Sequence, residues 1–150
     1  MIEVEYCLFK SLTEEVKKKL STISLREESW MKDLALDKYN KRRSNGVHVF
    51  VARDGDDILG WSTAHHTLIG FSPDSDKKSR VFEHNICVSS NHRGKGVGTK
   101  LLRTAKKTLR KQKRGSVSFP FDEAGKKAYQ KAGIRIFNEE NDVEYTPFWE

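Results

Sequence analysis

A glycine-rich segment, SSNHRGKGVGTKLL (89–102), separates a strand-like run from a helix-like run. Glycine adopts backbone conformations that other residues avoid, and it lets a bulky ligand approach the main chain. The first turn of a helix presents N–H groups without an internal partner, together with the positive end of the helix dipole. The segment therefore predicts a strand–loop–helix unit that binds phosphate or pyrophosphate through its backbone, with Arg93, Lys95 and Lys100 adding positive charge.

The spacing of Gly94, Gly96 and Gly98 excludes two common phosphate-binding motifs. A P-loop needs G-x-x-x-x-G-K-[ST], and a dinucleotide-binding turn needs G-x-G-x-x-G. Neither pattern occurs in this segment. A strand-to-helix turn that binds no ligand remains the alternative interpretation.

The rest of the chain predicts alternating strands and helices around this unit. The order indicates one α/β domain over residues 1–150, with a mixed six- to seven-stranded sheet flanked by about four helices. A turn signal at Asp54-Gly55-Asp56 predicts a hairpin within 47–69, and 70–80 reads as a polar loop. The other predicted strands are 2–9, 81–88, 115–121, 134–138 and 142–149. The predicted helices are 12–23, 27–43, the run after the glycines, and 122–133. Thr13 is the expected N-cap of the first helix, and the last helix has Asp122 as its N-cap and ends at Gly133.

The strand over 81–88 carries the candidate reactive side chains. Successive residues of a strand point to opposite faces of the sheet. One face therefore holds Phe82, His84, Ile86 and Val88, and the other holds Glu83, Asn85 and Cys87.

Positive charge is concentrated after the glycines. The chain carries a net charge of +7, and the segment from Arg93 to Phe121 holds ten Lys or Arg and no acid, so the remainder carries −3. The helix in this segment has one apolar face and one basic face. The basic face is either simply solvated or attracts an anionic cofactor or a nucleic acid. The apolar face consists of Val97, Leu101, Leu102, Ala105, Thr108 and Leu109.

Two features predict a cytoplasmic protein that does not enter a membrane. No run approaches the ~18 apolar residues of a membrane span, and the first residues carry two glutamates without a basic region, unlike a signal peptide. Cys7 and Cys87 are the only cysteines, and we expect two thiols rather than a disulfide.

The glycine spacing and a later helix together resemble the GNAT superfamily of N-acetyltransferases. The spacing is R-x-x-G-x-G (93–98) after a strand that ends in valine, and the helix reads AGKKAYQKAGI (124–134). The resemblance implies that the glycine motif binds the pyrophosphate of acetyl-CoA, that the preceding strand aligns the pantetheine arm, and that the sheet splays between strands 81–88 and 115–121. The implied cofactor-binding residues are Ile86, Cys87, Val88, Arg93, Gly94, Lys95, Gly96, Val97, Gly98, Thr99 and Asp122, the last standing where the family often has asparagine.

The resemblance also implies an acid and a base for amine acetylation. His84 lies where such enzymes place a base, although a histidine packed in the sheet is the equal alternative, and Glu83 is the second candidate. Tyr129 is expected near the cofactor sulfur, where it acts as an acid; the alternative is an ordinary packing aromatic. His65 and His66 face opposite sides of their strand, so at most one can face a substrate. No third ligand lies at a useful spacing from them, so no metal site is predicted.

The resulting expectation is an acetyl-CoA-dependent N-acetyltransferase that moves the acetyl group directly to a primary amine. The alternative is a non-catalytic module that binds acyl-CoA or nucleic acid. No motif identifies the acceptor, which could be a small molecule, a protein lysine or N-terminus, or a tRNA-linked amine. A homodimer and a nucleic acid bound to the basic helix are the other partners considered.

Overall fold

The computed structural model describes residues 1–23, 30–70, 78–120, 122–137 and 143–145. The strands within these residues are β1 (Glu3–Leu8), β2 (His48–Asp54), β3 (Asp57–Gly70), β4 (Lys78–Val88), β5 (Ser116–Ser118), β6 (Arg135–Ile136) and β7 (Val143–Tyr145). The helices are α1 (Glu14–Ile23), α2 (Trp30–Ala35), α3 (Lys41–Ser44), α4 (Val97–Leu109) and α5 (Glu123–Lys131).

All seven strands belong to one mixed sheet, which confirms the predicted α/β class. The strand order is β1-β2-β3-β4-β5-β6, and β7 pairs with β3. Strands β1 to β4 are antiparallel neighbours, whereas β5 lies parallel to β4 and β6 lies parallel to β5.

The predicted splay between β4 and β5 is confirmed. The two strands pair only at Phe82–Ser116, Glu83–Val117 and His84–Ser118. Strand β4 continues to Val88, but β5 ends at Ser118. Within the described residues, the last four positions of β4 therefore have no strand beside them on the β5 side.

The segment predicted as one helix over 27–43 contains two short helices in its described part. Helix α2 ends because Asp37 adopts a left-handed conformation (φ 58°), and the Lys38 N–H donates to the Asp33 carbonyl over 3.0 Å. Helix α3 then begins after Asn40, whose side chain accepts from the Arg42 N–H at 2.8 Å. The prediction of a single helix was therefore wrong. The break was not foreseen because no glycine or proline marks it in the sequence. Residues 27–29 lie outside the described part.

The predicted polar loop over 70–80 is shorter in the structure. Strands β3 and β4 pair as far as Gly70 with Lys78, because backbone pairing does not require apolar side chains. The predicted turn of the β2–β3 hairpin is confirmed, because Asp54 pairs with Asp57 and Gly55 between them has φ 59°. Parts of several predictions (70–80, 115–121, 134–138 and 142–149) fall on 71–77, 121, 138–142 and 146–149, outside the described residues.

The predicted helix ends are confirmed. The Val16 N–H donates to Thr13 Oγ1 at 3.2 Å, and the Gly125 N–H donates to Asp122 Oδ1 at 2.7 Å, so both side chains cap the helices that follow them. Gly133 ends α5 in a left-handed conformation (φ 73°).

Two apolar layers pack on opposite faces of the sheet. On one face, α1 and α2 cover Val49, Val51 and Trp61; on the other, α4 covers Phe50, Leu59 and Phe82. The predicted apolar face of α4 is buried except for Thr108, which is exposed. The odd and even residues of β4 thus face different helices.

The cations of the basic α4 face are exposed, and two of them contact α5. Arg103 donates to the Lys131 carbonyl at 3.3 Å, and Lys106 donates to the Gly133 carbonyl at 2.7 Å. Cations stabilise the C-terminal end of a helix. No helix in the described ranges is long and apolar enough to cross a membrane.

Candidate active site

A cavity of about 500 Å³ lies where β4 separates from β5. Its walls come from the loop before α4, the end of β4, helix α5 and helix α2. The lining residues on the loop and the first turn of α4 are His92, Arg93, Gly94, Gly96, Val97, Gly98 and Thr99. Those on β4 are Asn85, Ile86, Cys87 and Val88. Helix α2 contributes Trp30 and Met31, and α5 with its approach contributes Pro120, Asp122, Ala124, Gly125, Lys127, Ala128, Tyr129 and Lys131.

The glycine loop presents bare backbone to this cavity. Gly94 and Gly96 have φ values of 77° and 78°, which L side chains rarely adopt, and a Cβ on either would meet no atom within 4 Å. Gly96 is also the N-cap of α4 and provides no capping side chain. The loop therefore fits a phosphate group, because the N–H groups at the start of α4 are not occupied by a side chain at the cap.

Gly98 serves a different purpose from the two glycines before it. A Cβ at this position would lie 3.2 Å from Ile86 Cδ1 and 3.6 Å from Val88 Cγ2. The missing side chain therefore allows the first turn of α4 to pack closely against the end of β4.

Ten of the eleven predicted cofactor-binding residues line the same cavity, and Lys95 does not. Lys100, which we expected to add charge, donates instead to the Ile2 carbonyl. Asp122 lines the cavity, and its Oδ1 is engaged in capping α5. The contiguous motif and the strand before it thus converge on one space.

Tyr129 projects from α5 to the floor of the cavity and is only 3% exposed. Its hydroxyl donates to the His84 backbone carbonyl at 3.2 Å. Burial raises the pKa of Tyr129 well above its usual value of 10. The phenol therefore stays protonated at physiological pH and can act only as a proton or hydrogen-bond donor.

His84, the first candidate base, does not line the cavity. The side chain is 0% exposed, lies on the α4 side of the sheet near Phe82, and its Nε2 hydrogen-bonds Ser116 Oγ at 3.1 Å. Burial lowers the pKa of His84 to about 3, so the imidazole is neutral near pH 7. This placement matches the alternative of a histidine packed in the sheet.

The buried imidazole predicts loss of stability in mild acid. The folded pKa of about 3 lies below the ordinary 6.5, so between these values the unfolded chain binds a proton that the folded chain excludes. The stabilising contribution is complete above pH 6.5 and decreases by roughly 1.4 kcal/mol per pH unit as the pH falls toward 3. Urea unfolding measures the free energy of unfolding at each pH. Between pH 6.5 and 5, the free energy of unfolding of His84→Gln should fall by about 2 kcal/mol less than that of the wild type. Equal pH dependence in the two proteins would contradict this account.

Glu83 lies on the opposite face of β4, in a buried polar cluster with His65 and Asn85. Glu83 Oε2 is 3.2 Å from His65 Nε2 and accepts from Asn85 Nδ2 at 3.0 Å. Asn85 itself lines the cavity, and the His65 ring packs edge-on against Trp30, another lining residue, with 5.1 Å between centroids. The cluster therefore lies directly behind the part of the cavity formed by β4 and α2.

Four residues of this region were not among the candidates predicted from the sequence: Asn85, His65, Trp30 and Met31. Asn85 shares its strand face with Glu83, so alternation could have revealed it. The proximity of His65 to Glu83 could be recognised only from the register of β3 against β4. Trp30 and Met31 required the position of α2, for which the sequence carries no motif.

The chain belongs to the acetyltransferase (GNAT) family, whose model matches residues 10–134. No curated protein shows significant similarity to it. A predicted acetyltransferase from Clostridium acetobutylicum, solved with acetyl-CoA, is 17% identical with a TM-score of 0.60, and 93% of each chain is covered.

Other solved structures share the fold at similar distance. The IAA acetyltransferase from Bacillus cereus is 22% identical with a TM-score of 0.58, over 92% of this chain and 79% of its own. Eis1 from Mycobacterium abscessus is 10% identical with a TM-score of 0.55 over 77% of this chain, which spans 27% of the length of Eis1.

Proposed function

We propose that the 150 residues act as a single acetyl-CoA-dependent N-acetyltransferase domain that transfers the acetyl group directly to a primary amine. The observation that carries the proposal is the shared cavity. The bare backbone of the glycine loop, the open end of β4 and Tyr129 all border it. Membership of the acetyltransferase family supports the same reaction class.

The chain offers a distinct group for each part of acetyl-CoA. The pyrophosphate is held by the backbone N–H groups between Arg93 and Thr99 and by the Arg93 guanidinium. The pantetheine arm follows Ile86 to Val88, where β4 has no neighbour on its β5 side within the described residues. Acetyl-CoA supplies the acetyl group as a thioester.

The acceptor amine is assigned to the part of the cavity bordered by Asn85, Trp30 and Met31. An ammonium group has no lone pair, so it must lose a proton before it can attack the acetyl carbon. Glu83 is the proposed proton acceptor, because its carboxylate bonds Asn85 on that side and His84 lies on the other face. Glu83 is buried, so one water molecule beside Asn85 passes the proton from the amine to the carboxylate.

Tyr129→Phe is expected to lower kcat about tenfold or more while changing the KM for acetyl-CoA less than threefold. The phenol is the only donor that Phe removes. In the proposed mechanism its O–H turns from the His84 carbonyl to the departing sulfur, so it contributes to the reaction more than to ground-state binding. Steady-state kinetics, with thermal unfolding to verify the fold, measure this. An unchanged kcat in a folded variant would remove Tyr129 from the mechanism.

The proposal is tested by incubating the protein with acetyl-CoA and a panel of acceptors, and by following thiol release and product masses. The panel contains small primary amines, peptides with a free N-terminus or lysine, and aminoacylated tRNA. Acetylated product and a rate that depends on both substrates without a burst support direct transfer. Acetyl-CoA binding without turnover on any acceptor would instead support the non-catalytic module.

A further inference from the structure

A buried imidazole faces the carboxylate that the proposed function uses as a base. We infer that His65 is a positioning residue: with Nε2 only 3.2 Å from Glu83 Oε2, its imidazole keeps that carboxylate ionised and oriented toward Asn85 and the cavity. The inference rests on the proposed function, since it assigns a role to His65 through Glu83. Neither the family match nor the sequence motif assigns a role to His65.

The sheet register places the two residues together. His65 on β3 and Glu83 on β4 are direct cross-strand partners, so their side chains leave the same face of the sheet side by side. The Nε2 to Oε2 distance is 3.2 Å, and the residues are 3% and 1% exposed. At this depth a carboxylate is costly unless hydrogen bonds compensate for the lost water.

Asn85 supplies the second contact and connects the pair to the cavity. Its Nδ2 donates to the same Oε2 atom at 3.0 Å, while its side chain borders the cavity. The Asn85 amide donor and the imidazole nitrogen 3.2 Å away both favour the charged form of the carboxylate.

The edge-on contact with Trp30 holds the imidazole in place. The ring planes of Trp30 and His65 lie at 84° with their centroids 5.1 Å apart, an arrangement that aromatic rings favour. Trp30 also borders the acceptor part of the cavity. The orientation of His65 is therefore fixed by residues on two sides, α2 and β4.

Three titratable groups that interact electrostatically with His65 or Glu83 do not change charge around neutral pH: His84, His66 and Tyr129. Burial lowers the pKa of His84 to about 3 and that of His66 to about 4, and it raises the pKa of Tyr129. Burial also lowers the pKa of His48, which interacts with His84 and His66. Positive charge near these groups comes from Lys106 at His84 and from Arg80 and Arg114 at His66.

The test compares His65→Leu with His65→Gln, using the pH dependence of kcat/KM for the amine. Leucine removes the donor, so the midpoint of the acid limb is expected to rise by roughly one pH unit, and kcat/KM below that midpoint to fall about tenfold. Glutamine retains an N–H donor and is expected to keep the midpoint within about 0.3 units. His66→Leu is the matched control, because it changes the next residue of β3, which is itself exposed and points away from Glu83, and it is expected to leave the profile unchanged.

Two results would overturn the inference. One is an unchanged midpoint in a folded His65→Leu protein. The other is a uniform loss of activity at every pH that glutamine does not rescue, which would indicate packing alone. His65→Met serves as the donor-free variant if leucine prevents folding.

A failure of the proposed function gives a different result: the wild-type protein binds acetyl-CoA but acetylates no acceptor. In that case the carboxyl ¹³C signal of Glu83, assigned with Glu83→Gln, is titrated in the wild type and in His65→Leu. A higher midpoint in His65→Leu supports the action of His65 on Glu83, and equal midpoints refute it.

Discussion

Replacing Gly96 with aspartate is expected to weaken acetyl-CoA binding by at least about 100-fold, which corresponds to about 2.7 kcal/mol. Gly96 faces open space in the cavity at the start of α4. An aspartate would place a negative carboxylate where the pyrophosphate must approach, and charges about 4 Å apart repel by roughly 1–4 kcal/mol near a protein surface. The new side chain would also cap the N–H groups that the phosphates need.

Gly55→Asp is the matched control for this variant. Gly55 also has a positive φ (59°) and open space at its Cβ position, but it lies in the β2–β3 turn and does not border the cavity. The Gly55→Asp variant therefore carries the same cost of placing aspartate in a left-handed backbone conformation, but it adds no charge at the glycine loop. Calorimetric titration with acetyl-CoA should show wild-type affinity for Gly55→Asp. Equal affinities in folded Gly96→Asp and Gly55→Asp would refute the assignment of the pyrophosphate to this loop.

Replacing Glu83 with glutamine is expected to lower kcat by 10²–10³-fold at neutral pH, within the range that general bases contribute. Glutamine keeps the shape of the side chain but cannot accept a proton from the amine. Acetyl-CoA affinity should remain near that of the wild type, because Glu83 does not border the cavity. Activity should recover partly at high pH, where the amine loses its proton to solvent.

His84→Gln is the control for Glu83→Gln, since it changes the adjacent residue on the opposite face of β4. We expect this variant to keep near-normal turnover despite its altered stability in acid. Steady-state rates from pH 6 to 10 for both variants and the wild type measure the contrast. The reverse outcome, with normal turnover in Glu83→Gln and loss in His84→Gln, would return the role of base to His84.

Most residues that line the cavity on its α4 side could be predicted from the sequence, because their determinants are local. The glycines, the apolar face of α4 and the capping residue Asp122 act within a few residues of one another, so their pattern is visible in the chain. Alternation along β4 also separated Glu83 from His84 correctly. The splay of the sheet was predicted from the family resemblance that the glycine motif and the later helix carry.

Other features depend on contacts between distant segments and could not be predicted in this way. The pairing of His65 with Glu83 follows from the β3–β4 register, which no local pattern fixes. The burial of His84 follows from how α4 packs on the sheet, and the buried side chain does not line the cavity. The break after α2 depends on a left-handed Asp37, a conformation that aspartate adopts only occasionally.

The short pairing between β4 and β5 also limits the shape of what can enter the cavity. Beyond His84, no described strand pairs with β4 on its β5 side, so this stretch of β4 is an internal sheet edge recessed between two helices. Exposed edges elsewhere invite other chains to add as extra strands. Here the walls of the cavity flank the edge, so we expect a narrow, extended molecule with amide groups spaced like those of a peptide to fit along it more readily than another folded chain.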